Sequence, residues 1–196
     1  MKITKELRNY LIAIAIGDGY IDKSGNIWVW HSSKQKDYVE YKFNLVKTVC
    51  KHKELLTRTV YTGDVQYGFK CSHSKFTKTL RKILYPNGKK TITRKLLNRL
   101  DSEHLAIWWM DDGHCSNIYY KPTGNLRSSI STLSTCVSRE ENQVIIDWLQ
   151  DKFGIRFGQR KMKNYYALTC RLAEGRKLRS VIGNFVIPSL TYKLSQ

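Results

Sequence analysis

The sequence predicts an α+β protein: a pseudo-twofold tandem repeat of αββαββα units, with two antiparallel sheets around two central packed helices. Three observations point there. The stretch LIAIAIGDGYID, residues 11–22, has a counterpart in LAIWWMDDGHCS, residues 105–116; each opens on Leu, runs apolar and closes with Asp-Gly. Each is followed by strand–turn–strand pieces in the same order, with a helix between two hairpins. Each half closes with a helix and a tail from Pro to Lys, YPNGKKTI and IPSLTYKL. A chain of 196 residues holds two such units with ample core.

The elements follow in order. Thr4 and Ser102 are the N-caps that the sequence offers to the two motif helices, and Gly19 and Gly113 fit the left-handed position that ends a helix. KSGN at 23–26 and PTGN at 122–125 are turns before a strand. Helices are expected over 35–50 and 138–153. A second hairpin then follows in each half, turning at TGD (62–64) and at Lys163-Asn164. Hairpin order implies antiparallel sheets rather than βαβ crossovers. The seam falls near residues 97–101, giving repeats over 1–98 and 99–196.

The motif helices raise a question of their own. Residues 10–16 are apolar all round, so this helix must be buried on every side. It then delivers Asp18 at its C-terminal end, where the helix dipole is negative and disfavours a carboxylate. Asp112 repeats the situation. If the two helices pack side by side in parallel, Asp18 and Asp112 come together and repel each other. A divalent cation between them removes both penalties, and hard oxygen ligands suit Mg²⁺. Gly17 and Asp111, each preceding its carboxylate, join Asp18 and Asp112 as candidate metal ligands. Asp111 is left out of the catalytic set, its side chain being expected at backbone or a helix-end partner.

Charge names the partner. The 34 Lys and Arg against 16 Asp and Glu give a net charge of +18, which calls for an extended polyanion. Residues 65–100 hold ten basic residues and no acid, and 152–179 hold nine against Glu174 alone. No apolar run approaches the ~18 residues of a membrane span, and the first residues lack the features of a signal or transit peptide. Five cysteines, odd in number and without a C-x-x-C pair, read as reduced thiols of an intracellular protein.

Alternation along the strands separates their faces. Gln66, Lys70 and Ser72 share a side opposite Val65, Tyr67, Phe69 and Cys71. Arg127, Ser129 and Ser131 oppose Leu126, Ser128 and Ile130, while Arg156 and Arg160 oppose Ile155 and Phe157. With Arg171, these polar residues are the candidate readers of base edges in a major groove. Two such sheets cover about two helical turns of duplex, roughly 20 bp.

LIAIAIGDG and LAIWWMDDG resemble the two signature helices of the LAGLIDADG homing endonucleases, and the flanking pieces resemble the single-chain, two-motif branch of that family. The resemblance covers essentially the whole chain. It implies a saddle with DNA along the sheets, and divalent ions bound by the acidic eighth residue of each motif, Asp18 and Asp112. Lys90 and Lys193, after each Pro-containing tail, match lysines that related members use in catalysis. Ile16, Trp108 and Trp109 depart from the motif at packing positions. The resemblance therefore implies an intron-encoded, site-specific endonuclease that is monomeric, cuts both strands of double-stranded DNA with Mg²⁺ (Mn²⁺ substituting) and engages no membrane. An RNA maturase binding intron RNA on the same scaffold is the alternative; two intact Asp residues and both tail lysines favour the enzyme. The compartment follows the gene: an organelle, or a bacterial or phage-infected cytoplasm.

Overall fold

The computed structural model describes residues 3–163 and 165–194. The chain folds as two compact units, Met1–Lys90 and Thr91–Gln196. The first runs α1 (Lys5–Ile16), β1 (Tyr20–Ile21), β2 (Ile27–Ser32), α2 (Lys36–Val46), β3 (Leu56–Thr59), β4 (Val65–Cys71) and α3 (Lys75–Leu84). The second opens with the short α4 (Arg94–Leu97) and then repeats the order. It runs α5 (Ser102–Asp112), β5 (Gly113–Tyr120), β6 (Asn125–Leu133), α6 (Arg139–Phe153), β7 (Gly158–Lys161), β8 (Tyr166–Arg171) and α7 (Leu172–Ile182). Antiparallel pairing gives sheets ordered β1-β2-β4-β3 and β5-β6-β8-β7, one topology used twice. Of the expected turn at Lys163-Asn164, Asn164 lies outside the described residues.

Local chemistry sets the motif helices. Thr4 Oγ1 accepts the Leu7 amide at 3.2 Å and starts α1 as expected. Ser102 does not cap α5. Asp101 does, accepting the Glu103 and His104 amides at 3.1 and 3.3 Å, because a carboxylate adds charge attraction at the positive helix start. Asn9 to Ile16 of α1 and His104 to Met110 of α5 are buried, as apolar-all-round helices must be.

The expectation of left-handed glycines at the motif ends is corrected. Gly113 has φ −86°, and neither it nor Gly19 adopts a positive φ. Close approach is what demands glycine at both places. A Cβ on Gly19 would meet the Ile14 carbonyl oxygen at 2.5 Å, and one on Gly113 the Trp109 oxygen at 2.5 Å. Each glycine lets the chain fold back against the last turn of its own helix.

Each sheet buries one face under helices of its own unit. Ile27 and Val29 of β2 and Phe69 and Cys71 of β4 turn inward, with Phe43 of α2 packed on Phe69 at 5.8 Å between centroids. In the second unit Leu133, Leu168 and Cys170 turn inward, and α6 and α7 pack on β8 and β6. Each such aliphatic or aromatic side chain contributes about 1.5–3 kcal/mol of burial. That leaves the opposite face of each sheet to its polar residues. No helix among the described residues is long and apolar enough to cross a membrane.

Candidate active site and nucleic-acid interface

In the first unit, α1 stops at Gly17, whose ψ of −131° leaves the helix, and Asp18 follows with its side chain 43% exposed. The last carbonyls of a helix lack partners and attract positive charge. The tail after α3 supplies it: Lys90 Nζ donates to the Ile16 and Gly17 carbonyls at 2.9 and 2.7 Å. His31, at the end of β2, stands beside the acid, its Nδ1 3.8 Å from Asp18 Oδ2 and 3.1 Å from Gln35 Oε1. Its other nitrogen lies 2.6 Å from Nζ of Lys42, which is fully buried on α2 and sits 4.3 Å over the Tyr38 ring. An ammonium only donates, so His31 Nε2 accepts and Nδ1 carries the proton towards Gln35 and Asp18.

The second unit repeats the plan with other partners. Lys193, buried, donates to the Met110 and Asp111 carbonyls at 2.5 and 3.1 Å. Ile16 and Gly17 in one motif and Met110 and Asp111 in the other hold the same sixth and seventh positions, so the two lysines make equivalent contacts. Trp108 Nε1 donates to Asp112 Oδ2 at 3.0 Å, and Trp109 Nε1 to the Lys193 carbonyl at 3.0 Å. Sequence reasoning assigned these indoles to packing alone. Both are fully buried, but their N–H groups also hold the acid and the lysine.

Asp18 presents carboxylate oxygens with His31 Nδ1 beside them, and such a carboxylate fits a hard divalent cation rather than a soft one. The carbonyls of Gly17 and Asp111 each accept a hydrogen bond from the tail lysine of their own unit.

The sheet residues sort unevenly. Gln66 and Lys70 lie on the open face of β4, opposite in register to Ser32 and Trp28 of β2. Ser72 is exposed just past the strand. Arg160 of β7 and Arg171 of β8 are exposed, and Arg127 is exposed near the free end of β6. Arg156 is exposed but precedes β7, its amide donating to Glu174 Oε2 at 2.8 Å. Ser129 and Ser131 are corrected: both are fully buried on the covered face, Ser129 Oγ lying 2.9 Å from Cys115 Sγ. They share their side with Leu133, which points into the core, so Leu126 and Ile130 face the other way.

On the first sheet, Trp28 and Trp30 carry stacked cations; sequence reasoning named Lys70 but missed Arg58 and both stacks. Lys70 lies 4.6 Å over the Trp28 ring and Arg58 4.2 Å over Trp30. Trp28 Nε1 also donates to Asp22 Oδ2 at 3.0 Å, and the Asn26 amide and main chain donate to the same carboxylate at 2.9 Å. Burial pushes the Asp22 carboxyl up, but these donors outweigh it and hold its pKa at about 2.

Twice over, an acid and a lysine meet at the end of a buried helix in a unit whose sheet carries cations, the combination that a polyanion-cleaving protein needs. Residues 8–178 match the model of the LAGLIDADG DNA endonuclease family, and the chain belongs to that family. It is 31% identical over 139 residues to a probable intron-encoded DNA endonuclease 3 of Mycosarcoma maydis, an alignment covering 67% of this chain and 96% of that protein. It is also 26% identical over 190 residues to Protein RecA of Mycolicibacterium flavescens, covering 91% of this chain but 44% of that protein's length. The fold is that of the homing endonuclease I-WcaI, solved bound to its DNA recognition sequence, with a TM-score of 0.81, 21% identity and coverage of 100% of this chain and 89% of that one.

Proposed function

We propose that this chain is an intron-encoded, site-specific endonuclease that hydrolyses both strands of a duplex site of roughly two helical turns, acting as a monomer with Mg²⁺. The observation that carries this is the doubled arrangement of acid and lysine: Asp18 with Lys90 on the Ile16 and Gly17 carbonyls, and Asp112 with Lys193 on those of Met110 and Asp111. Asp18 and Asp112, with the carbonyls of Gly17 and Asp111, would hold the divalent ions. Bound there, such an ion supplies Lewis-acid stabilisation of the charge on the reacting phosphate. Lys90 and Lys193 hold positive charge at the same helix ends, where negative charge develops as the phosphodiester is attacked. Each unit serves one strand. Lys70, Arg160 and Arg171 on the open sheet faces grip phosphates and base edges.

The substrate to test is the rejoined exon junction around the gene. Purified chain is expected to cut it to double-strand breaks in Mg²⁺ and not in EDTA. With ~6–10 phosphate contacts, affinity for the duplex should fall ~10³–10⁵-fold between 50 and 200 mM salt. A flat salt response, or tight binding only to the intron RNA, would contradict the proposal.

A further inference from the structure

The open face of the first sheet holds an arginine fixed before any partner arrives. Register sets Trp30 of β2 opposite Gly68 of β4, and Gly68 in turn opposite Leu56 of β3. A Cβ on Gly68 would come 2.2 Å from the Val29 carbonyl oxygen and 2.5 Å from the Trp30 ring, so the missing side chain leaves room for the neighbouring strand and its indole. Arg58, exposed on the outer strand β3 and paired in register with Gln66, lays its guanidinium 4.2 Å over that indole. Its Nε donates to Gln66 Oε1 at 2.8 Å. Two neighbours on two other strands, Trp30 of β2 and Gln66 of β4, thus hold one fork, and much of the ordering cost of a long side chain is met in the free protein.

The chemistry of what remains is one-sided. With Nε engaged, Arg58 presents its Nη1 and Nη2 donors, which no hydrogen bond among the described residues takes up. Because Arg cannot accept, Gln66 must turn Oε1 to it, which turns the Gln66 Nε2 donors away from it. The free end of the fork therefore offers donors alone, the acceptor oxygen of Gln66 being turned to Arg58. In the major groove, guanine alone shows two adjacent acceptors, N7 and O6; adenine sets its N6 amino donor beside N7, where it would meet another donor. Cytosine offers a donor and thymine a single acceptor beside a methyl group.

We infer that Arg58, stacked on Trp30 and steered by Gln66, is a specificity residue that reads one guanine of the target through its N7 and O6. This rests on the proposed duplex-DNA partner and deepens it. Lys70 on Trp28 is a separate unit, four residues along β4 from Gln66 and so ~13 Å away at ~3.3 Å per residue. It serves as an internal control.

The test is selection from a pool of randomised duplexes of roughly two turns, in EDTA so that none is cut, with the full chain and its Arg58→Ala, Arg58→Lys and Lys70→Ala variants. Wild type should retain one column of guanine, and replacing that G·C by A·T should weaken binding ~10–100-fold, the range for a bidentate contact. Arg58→Ala should flatten that column to within ~3-fold while leaving the others, and Arg58→Lys should keep only part of it. Lys70→Ala should leave it intact. A guanine column that survives Arg58→Ala, or flattens equally in Lys70→Ala, overturns the assignment while duplex binding stands. Failure of wild type to retain any duplex overturns the DNA reading itself, and this one with it.

Discussion

The ends of the two motif helices share a backbone plan but not an electrostatic one. In the first unit Asp18 is flanked by His31, which is backed by the buried Lys42. In the second, Asp112 is tied to Trp108 of its own helix. Register shows what answers to His31. Val29 pairs with Phe69 two residues before Cys71, and Leu133 with Leu168 two before Cys170, so His31 corresponds to Thr135. Thr135 donates to Asn142 of α6 at 2.5 Å, a neutral, buried pair where the first unit has a basic one. A repeated fold thus fixes where the acid and the tail lysine go. What stands behind them is set separately in each unit, so the two strands of one target should be cut at unequal rates.

The largest effect on that comparison should come from the parts the units share. Replacing Lys90 or Lys193 by Met is expected to slow cleavage ~10²-fold or more, the scale for losing one stabilising charge contact. Each loss should fall mainly on one strand, so that nicked duplex accumulates in single-turnover reactions on end-labelled DNA. Equal, small slowing of both strands would make the lysines helix caps and nothing more.

A smaller effect should separate the units. Lys42→Met keeps the bulk of the side chain but removes the donor to His31 Nε2, freeing the ring to change tautomer or rotate. Outer partners of site residues typically account for 10–100-fold, so the strand cut by the first unit should slow ~10-fold and the other stay within ~2-fold. Thermal stability should hold or rise, since a buried charge is gone. Loss of both cleavages together would mean that Lys42 supports the fold rather than one half-site.

Much of this plan is legible in the residues. The paired Asp-Gly motifs, the hairpin order and the Pro-to-Lys tails give the repeat, and apolar runs with no polar side can only be buried. The faces of β6 were not legible. Leu126 and Ile130 outweigh Leu133 in the strand's pattern, yet Leu133 lies over the core and sets the inward side, burying Ser129 and Ser131. The stack of Arg58 on Trp30 needs the registers of three strands, which no local pattern supplies. Lys42 did leave a signal: it interrupts the apolar stripe of Tyr38, Val39, Phe43 and Val46, where a cation must find a buried partner.

The smallest expected effect is on stability and confined to the first unit. Asp22, held at about 2 against an ordinary 3.8, clamps the turn before β2. A lowered carboxyl pKa contributes stability that is complete above about pH 4 and is lost as pH falls towards 2. Asp22→Asn should therefore cost ~1–2 kcal/mol at pH 7, discounted for partial exposure, and should flatten that part of the acid dependence. Urea midpoints at pH 2, 3, 4 and 7 would show it, and parallel curves for variant and wild type would remove Asp22 from the clamp.

Strand-resolved, single-turnover cleavage of the exon-junction duplex in Mg²⁺ by Asp18→Asn and Asp112→Asn tests most directly whether the motif carboxylate of each unit serves catalysis. Each substitution keeps the size of the side chain and removes its charge, leaving the basic sheets untouched. Double-strand cleavage should be lost in both variants while duplex affinity stays within a few-fold of wild type. A variant that still cuts both strands at near wild-type rate would contradict the assignment of the motif carboxylates.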